Sequence, residues 1–169
     1  MNNDSNFSKF NLKEAFNKLD SLDRYIDDLV VPIGRSTTTY RGRGYLEITT
    51  GIPWASSGFF TLEVICYYYN SARNFKILLS GYLFGGNPAY FTSSGFGTRG
   101  FSINPVYFND NDRLSIRIPF DDCYYNFAHA FLYCHSGIYI TTVNAYKSII
   151  FKLGTLPSTE YYHFPAIQI

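Results

Sequence analysis

The clearest alternation in the chain runs through Phe59-Phe60-Thr61-Leu62-Glu63-Val64-Ile65-Cys66-Tyr67-Tyr68-Tyr69. Leu62, Val64, Cys66 and Tyr68 fall on one side of an extended chain, and Thr61, Glu63, Ile65, Tyr67 and Tyr69 on the other. Successive side chains of a strand point to opposite faces, so this spacing predicts a strand with one face buried. The polar string Asn70-Ser71-Ala72-Arg73-Asn74 follows, and 75–84 returns as a second strand interrupted by Gly81. The two are expected to form one long antiparallel hairpin.

The same signals recur on either side. Residues 44–50 read as a strand closed by Gly51-Ile52-Pro53, followed by a loop that holds Trp54. Residues 85–100 contain five glycines and little periodicity, and are expected to form the longest loop, where function tends to reside. Asn109-Asp110-Asn111-Asp112 reads as a polar turn, after which Leu114, Ile116 and Ile118 alternate with Ser115 and Arg117. A second loop is expected over 120–125, with strands over 127–134, 138–143 and 147–153. Turn signals roughly every ten residues and the lack of a helical period predict an antiparallel β-sandwich, with a jelly roll as one way of wiring it.

The N-terminal part follows a different rule. Leu12, Leu19 and Ile26 fall at one heptad position, and Ala15, Leu22 and Leu29 at the other. A seam that narrow suits a partner helix, so 12–29 is expected to be a coiled-coil helix that joins copies of the chain. Asn11 and Glu14 can form a capping box at its start, and Val31-Pro32-Ile33-Gly34 is expected to stop it. The expected organisation is an oligomerising stalk over 1–33, a flexible neck over 34–43 carrying Arg35, Arg41 and Arg43, and a β head over 44–169.

Composition narrows the function. The chain has 169 residues, of which 20% are aromatic (16 Tyr, 16 Phe and one Trp) and only 16% charged. Tyr and Phe favour pleated, half-buried surfaces, and exposed Tyr makes a surface that is adhesive yet wet. The formal net charge is +1, with net −2 over 1–31 and net +3 beyond. That is far from the basic excess of a nucleic-acid binder. No apolar run approaches the roughly 20 residues that span a bilayer, and no basic-then-apolar leader is expected at the N-terminus. Cys66, Cys123 and Cys134 are odd in number and lack a CxxC spacing, so they are expected as free buried thiols.

The motifs that suggest chemistry do not survive their context. Gly95-Phe96-Gly97-Thr98-Arg99-Gly100 matches GxGxxG, but Phe101-Ser102-Ile103-Asn104-Pro105 cannot start the helix that would hold a pyrophosphate. The polar run 109–112 lacks the glycine and distal Glu of a calcium loop. His129, His135 and His163 show no ligand spacing, so neither metal nor cofactor is expected. Asp121, Asp122, Cys123 and His129 suggest a cluster, but neighbouring acids in an extended segment point apart. No enzyme is expected.

The heptad segment, together with Phe75-Lys76-Ile77-Leu78-Leu79-Ser80-Gly81-Tyr82 and Asp112-Arg113-Leu114-Ser115-Ile116-Arg117-Ile118, resembles the distal end of a bacteriophage tail fibre. The resemblance implies a parallel homotrimer, part of the virion tail and synthesised in the host cytoplasm without a signal peptide. Such a fibre tip binds a host surface glycan or outer-membrane protein, and its N-terminus joins other virion proteins; no nucleic acid and no membrane insertion are implied. Ile26 at a with Leu29 at d would alone favour two strands, so the trimer comes from the resemblance. The expected receptor contacts are Tyr90, Phe91, Phe96 and Arg99 in the glycine loop and Tyr124, Tyr125 and Asn126 in the later one. The competing expectation is a structural virion component, a head decoration or tail adaptor, whose N-terminal helix docks on another virion protein.

Overall fold

The structure, a computed structural model, describes residues 30–69, 73–97, 102–134, 138, 146–157 and 161–168. The heptad positions Leu12, Ala15, Leu19, Leu22, Ile26 and Leu29 lie outside the described residues, as does Arg99.

The expected hairpin forms the centre of a first sheet. Strand β3 (Ser57–Tyr68) pairs antiparallel with β4 (Arg73–Phe84) over its whole length, from Ser57 opposite Phe84 to Tyr68 opposite Arg73. Leu62, Val64 and Cys66 point inward and are at most 2% exposed, as their alternation demands. Beyond β4 lies β5 (Asn87–Gly97), which pairs with it antiparallel from Phe84–Asn87 to Phe75–Gly97. On the other side of β3 come β9 (Phe127–Cys134) and then β1 (Val30–Thr37), giving the order β1-β9-β3-β4-β5.

The second sheet has the order β10 (Ser148–Leu153), β2 (Gly44–Pro53), β8 (Arg113–Phe120), β7 (Val106–Asp110) and β11 (Tyr162–His163). A small ladder pairs β6 (Ser102–Ile103) with β12 (Ile167–Gln168). Asn111 and Asp112, both with φ near +55° (50° and 61°), make the two-residue turn between β7 and β8. Positive φ at both central positions is the hairpin geometry whose twist matches the strands. All these pairings are antiparallel, and inward residues of both sheets, among them Leu46, Ile48, Ile77, Leu79, Ile116 and Leu132, share one core. This is the sandwich the alternation predicts. It is not wired as a jelly roll, because β3, β4 and β5 stay together as a meander in one sheet.

Two expectations are corrected. Residues 87–97 are a strand instead of a glycine loop: Gly85 and Gly86 (φ +56° and +88°) form a tight hairpin turn that sends the chain straight back along β4. Val30–Thr37 is also a strand of the sandwich, so 30–33 are not the end of a helix and 34–37 are not neck. Val31 and Ile33 enter the core at 3% and 6% exposure while Pro32 faces out. Pro32 is tolerated because β1 is an edge strand and its register shifts between Pro32 and Gly34.

The side of the sandwich where β1 approaches β10 is sealed by side chains. The backbone N–H of Phe151 donates to Ser36 Oγ (3.1 Å), and the Tyr40 hydroxyl donates to the Phe151 carbonyl (2.6 Å). Both groups would otherwise be bare at the edge of β10. On the outer face of the second sheet, Glu47 lies between Arg117 and Lys152, and the Arg117 guanidinium sits 4.1 Å from the centre of the Phe108 ring. No helix of the described residues is long and apolar enough to cross a membrane.

Candidate functional site: an aromatic end of the sandwich

At one end of the molecule the close of β3 and β8 meets the start of β2 and β9, and the loop 121–126 spans the two sheets. Asp122 and Asn126 hold this loop. Asp122 Oδ1 accepts from the backbone N–H of Gly42 (3.2 Å) and of Tyr124 (3.0 Å). Asn126, 2% exposed, accepts from the Tyr69 N–H at its Oδ1 (3.3 Å) and donates from Nδ2 to the Asp122 carbonyl (3.0 Å). Backbone bonds from Cys123 N–H to the Gly42 carbonyl (2.9 Å) and from Thr38 N–H to the Asn126 carbonyl (3.1 Å) fasten residues 38–42 to the same loop. The segment expected as a flexible neck is therefore pinned to the head.

This frame presents a cluster of rings. Tyr69 stands edge-on to Tyr124 and Tyr125, with centroids 5.8 and 5.6 Å away, and Tyr124 and Tyr125 are 4.3 Å apart. The Arg41 guanidinium lies over the Tyr124 ring at 4.7 Å. Tyr69 and Tyr125 are half exposed, at 51% and 49%. Tyr125 also has φ +51°, a conformation that costs a bulky residue about 1–3 kcal/mol and persists only where its surroundings impose it. Beside this loop opens a cleft of about 590 Å³ lined by Arg43, Tyr68, Asn104, Phe120, Asp121 and Leu156. Burial foremost, then the charges of Asp122 and Asp121, raises the Tyr68 pKa, so its hydroxyl stays a neutral donor.

The structure divides the expected receptor residues. Tyr124 and Tyr125 are together at this end. Asn126 is buried, and its side chain bonds to the Tyr69 N–H and the Asp122 carbonyl, which holds the loop. Phe96 is 60% exposed on β5 opposite Lys76, on the outer face of the first sheet. Tyr90, 84% exposed with φ +55°, lies six residues back along β5, about 20 Å at ~3.3 Å per residue. Phe91 turns inward, its ring stacked 3.9 Å from Tyr107, and belongs to the interior. Gly81 leaves room for it, since a Cβ there would lie 3.0 Å from the ring. Arg41, Arg43 and Tyr69 were missing from the expected set. The interleaving of arginine with glycine and tyrosine over 40–44 is the sequence signal for Arg41 and Arg43, and it equally suits the flexible neck expected there; Tyr69 carries no such signal.

The arrangement suits binding. Half-exposed tyrosine rings offer apolar faces to stack on a sugar or an aliphatic chain, while their hydroxyls, Arg41 and Arg43 supply directed hydrogen bonds. Cys123 is a poor nucleophile here: burial first and the Asp122 charge second push its thiol up to about 12. Among the described residues, no group of three or more His, Cys, Asp or Glu is placed to hold a metal. No protein-family profile, curated protein or solved structure matches the chain.

Proposed function

We propose that the chain is a non-enzymatic receptor-binding head, of the kind that tips a bacteriophage tail fibre, and that it attaches to a host surface glycan through this aromatic end. The observation that carries the reading is Tyr125. A bulky ring is held half exposed in the left-handed region, beside two more tyrosines and an arginine, by buried Asn126 and by Asp122. Gly or Asn would meet that φ without strain; Tyr90 shares it at +55°, so it is the strained φ together with the company of Tyr69, Tyr124 and Arg41 that supports a role in contact. In this reading residues 1–29 join the head to the fibre and assemble copies of it into a trimer.

The test is retention of the labelled full chain on an array of bacterial lipopolysaccharides and capsular polysaccharides and on intact cells. Retention on at least one surface is expected, with Tyr124→Ala/Tyr125→Ala losing it and Tyr90→Ala keeping it. Retention undiminished in the double variant would remove this end from the site. Failure of the wild type on every surface would overturn the reading.

A further inference from the structure

The two sheets differ in what they show to solvent. The outer face of the second carries the Glu47, Arg117 and Lys152 network, which binds its own strands together. The outer face of the first sheet carries rings and aliphatic groups. Its rows follow from the register: Tyr67 stands between Phe127 and Asn74, Ile65 between His129 and Lys76, Glu63 between Phe131 and Leu78, and Thr61 between Tyr133 and Ser80. Further along, Phe59 faces Tyr82, with ring centres 4.4 Å apart. Phe59, Ile65 and Tyr67 are 53%, 41% and 37% exposed. Lys76 and Glu63 neutralise each other at 2.6 Å, and Arg35, exposed on β1 opposite His129, adds a positive charge at the edge of the same face.

The whole face, polar rows included, is large enough for an interface. Five strands spaced ~4.8 Å apart, over ten residues at ~3.3 Å each, give roughly 800 Å². A stable interface takes about 800 Å² from each partner. The position of the face in the chain bears on what would cover it. β1 forms one edge of this sheet, and the heptad stripe of the sequence ends at Leu29, one residue before β1 begins. A stripe that joins copies of the chain would deliver the second copy directly beside this face.

We propose that the outer face of the first sheet is an interface between copies of this chain, with Phe59, Ile65, Tyr67 and Phe131 at its centre. The proposal needs no receptor and stands apart from the binding role of the aromatic end. It moves the main contact of the assembly from the N-terminal segment into the head.

The experiment is the mass in solution, by light scattering and sedimentation equilibrium, of the full chain and three variants. Ile65→Glu sets a carboxylate opposite Lys76, and Phe59→Glu sets one at the far end of the face. Ile150→Lys, opposite Glu47 on the other sheet, is the control. All three positions are outward-facing and more than 40% exposed, so the β-sheet circular dichroism should remain that of the wild type. The wild type and the control should form a multiple of 19.4 kDa. Each first-sheet variant should raise the dissociation constant at least about a hundredfold. A wild type that is monomeric at micromolar concentration, its face covered by its own residues 1–29 or left bare, would overturn the proposal. So would an oligomer that withstands both substitutions, held by residues 1–29 alone.

Discussion

Replacing Glu47 by Gln removes one charge from a nearly dry network while keeping the side chain's shape. Glu47 Oε2 accepts from Arg117 Nε (2.7 Å) and Nη2 (2.6 Å), and its other oxygen meets Lys152 Nζ. Glu47 and Arg117 side chains are only 12% and 10% exposed, whereas Lys152 is 41% exposed. Phe108, Tyr45 and Tyr161 surround the guanidinium, and Arg117 also donates to the Tyr161 hydroxyl. With the carboxylate gone, Arg117 is left charged and poorly solvated, which costs about 3–5 kcal/mol. For a chain of this length, each kcal/mol moves Tm by about 2–4 °C. Glu47→Gln should therefore melt roughly 6–20 °C below the wild type by circular dichroism at pH 7. Lys152→Met, which removes an exposed partner, should cost about 1 kcal/mol or less. Glu47→Gln/Arg117→Met should recover much of the loss, because no uncompensated charge remains. The pH dependence follows the same logic. Burial alone would raise the Glu47 pKa, but the hydrogen bonds and charges of Lys152 and Arg117 bring it below its ordinary value. A depressed carboxylate stabilises the fold fully above its unfolded pKa, and that contribution is lost as pH falls through the folded value. The gap between wild type and Glu47→Gln should thus narrow below about pH 4. A Glu47→Gln loss of less than about 1 kcal/mol, or a double variant that loses the sum of Glu47→Gln and Arg117→Met measured singly, would show that Arg117 does not depend on the carboxylate.

Other consequences are open to direct measurement. Tyr125→Gly should relieve positive-φ strain and raise stability by about 1 kcal/mol in denaturant titration while abolishing surface retention. Loss of stability would show that the ring serves the fold instead. Gly44→Ala should cost several kcal/mol, of the order seen for overpacked cores, since its Cβ would lie 2.4 Å from the Lys152 carbonyl oxygen and 2.7 Å from Cys123 Sγ. A Tm within a degree or two of wild type would contradict that close approach. Burial pushes the Cys134 thiol up to about 11 and Cys123 higher still, so an aromatic disulfide reagent at pH 8 should label neither until denaturant is added. Prompt labelling of the native protein would refute their burial.

What could be read from the sequence was set by which residues are forced by the core. In β3 and β8 both neighbours are strands of the same sheet and one face is sealed, so Leu62-Val64-Cys66 and Leu114-Ile116-Ile118 alternate visibly. The turn at Asn111-Asp112 was legible because few residues accept φ near +55°. β5 was not legible in the same way. It is an edge strand whose outward positions carry Thr92, Ser94 and Phe96, so its alternation is blurred, and Gly95 and Gly97 suggest a loop. Gly85-Gly86 was the stronger signal, since a two-residue glycine turn after a strand announces another strand. β1 was obscured by Pro32, which ends a helix but also suits an edge strand. At the site, two adjacent tyrosines could be found by their exposure-seeking chemistry. Asn126 could not be told from them, because a buried loop-holding amide and a ligand-binding one have the same sequence. Arg41 and Tyr69 joined the cluster only through tertiary hydrogen bonds from 122–126 to 42 and 69.

Receptor binding by the aromatic end can be mapped by hydrogen–deuterium exchange of the full chain with and without a retained polysaccharide. Slowed exchange confined to 41–43, 68–69 and 121–126 is expected. Protection along β5 or across the outer face of the first sheet, with 121–126 unchanged, would contradict it.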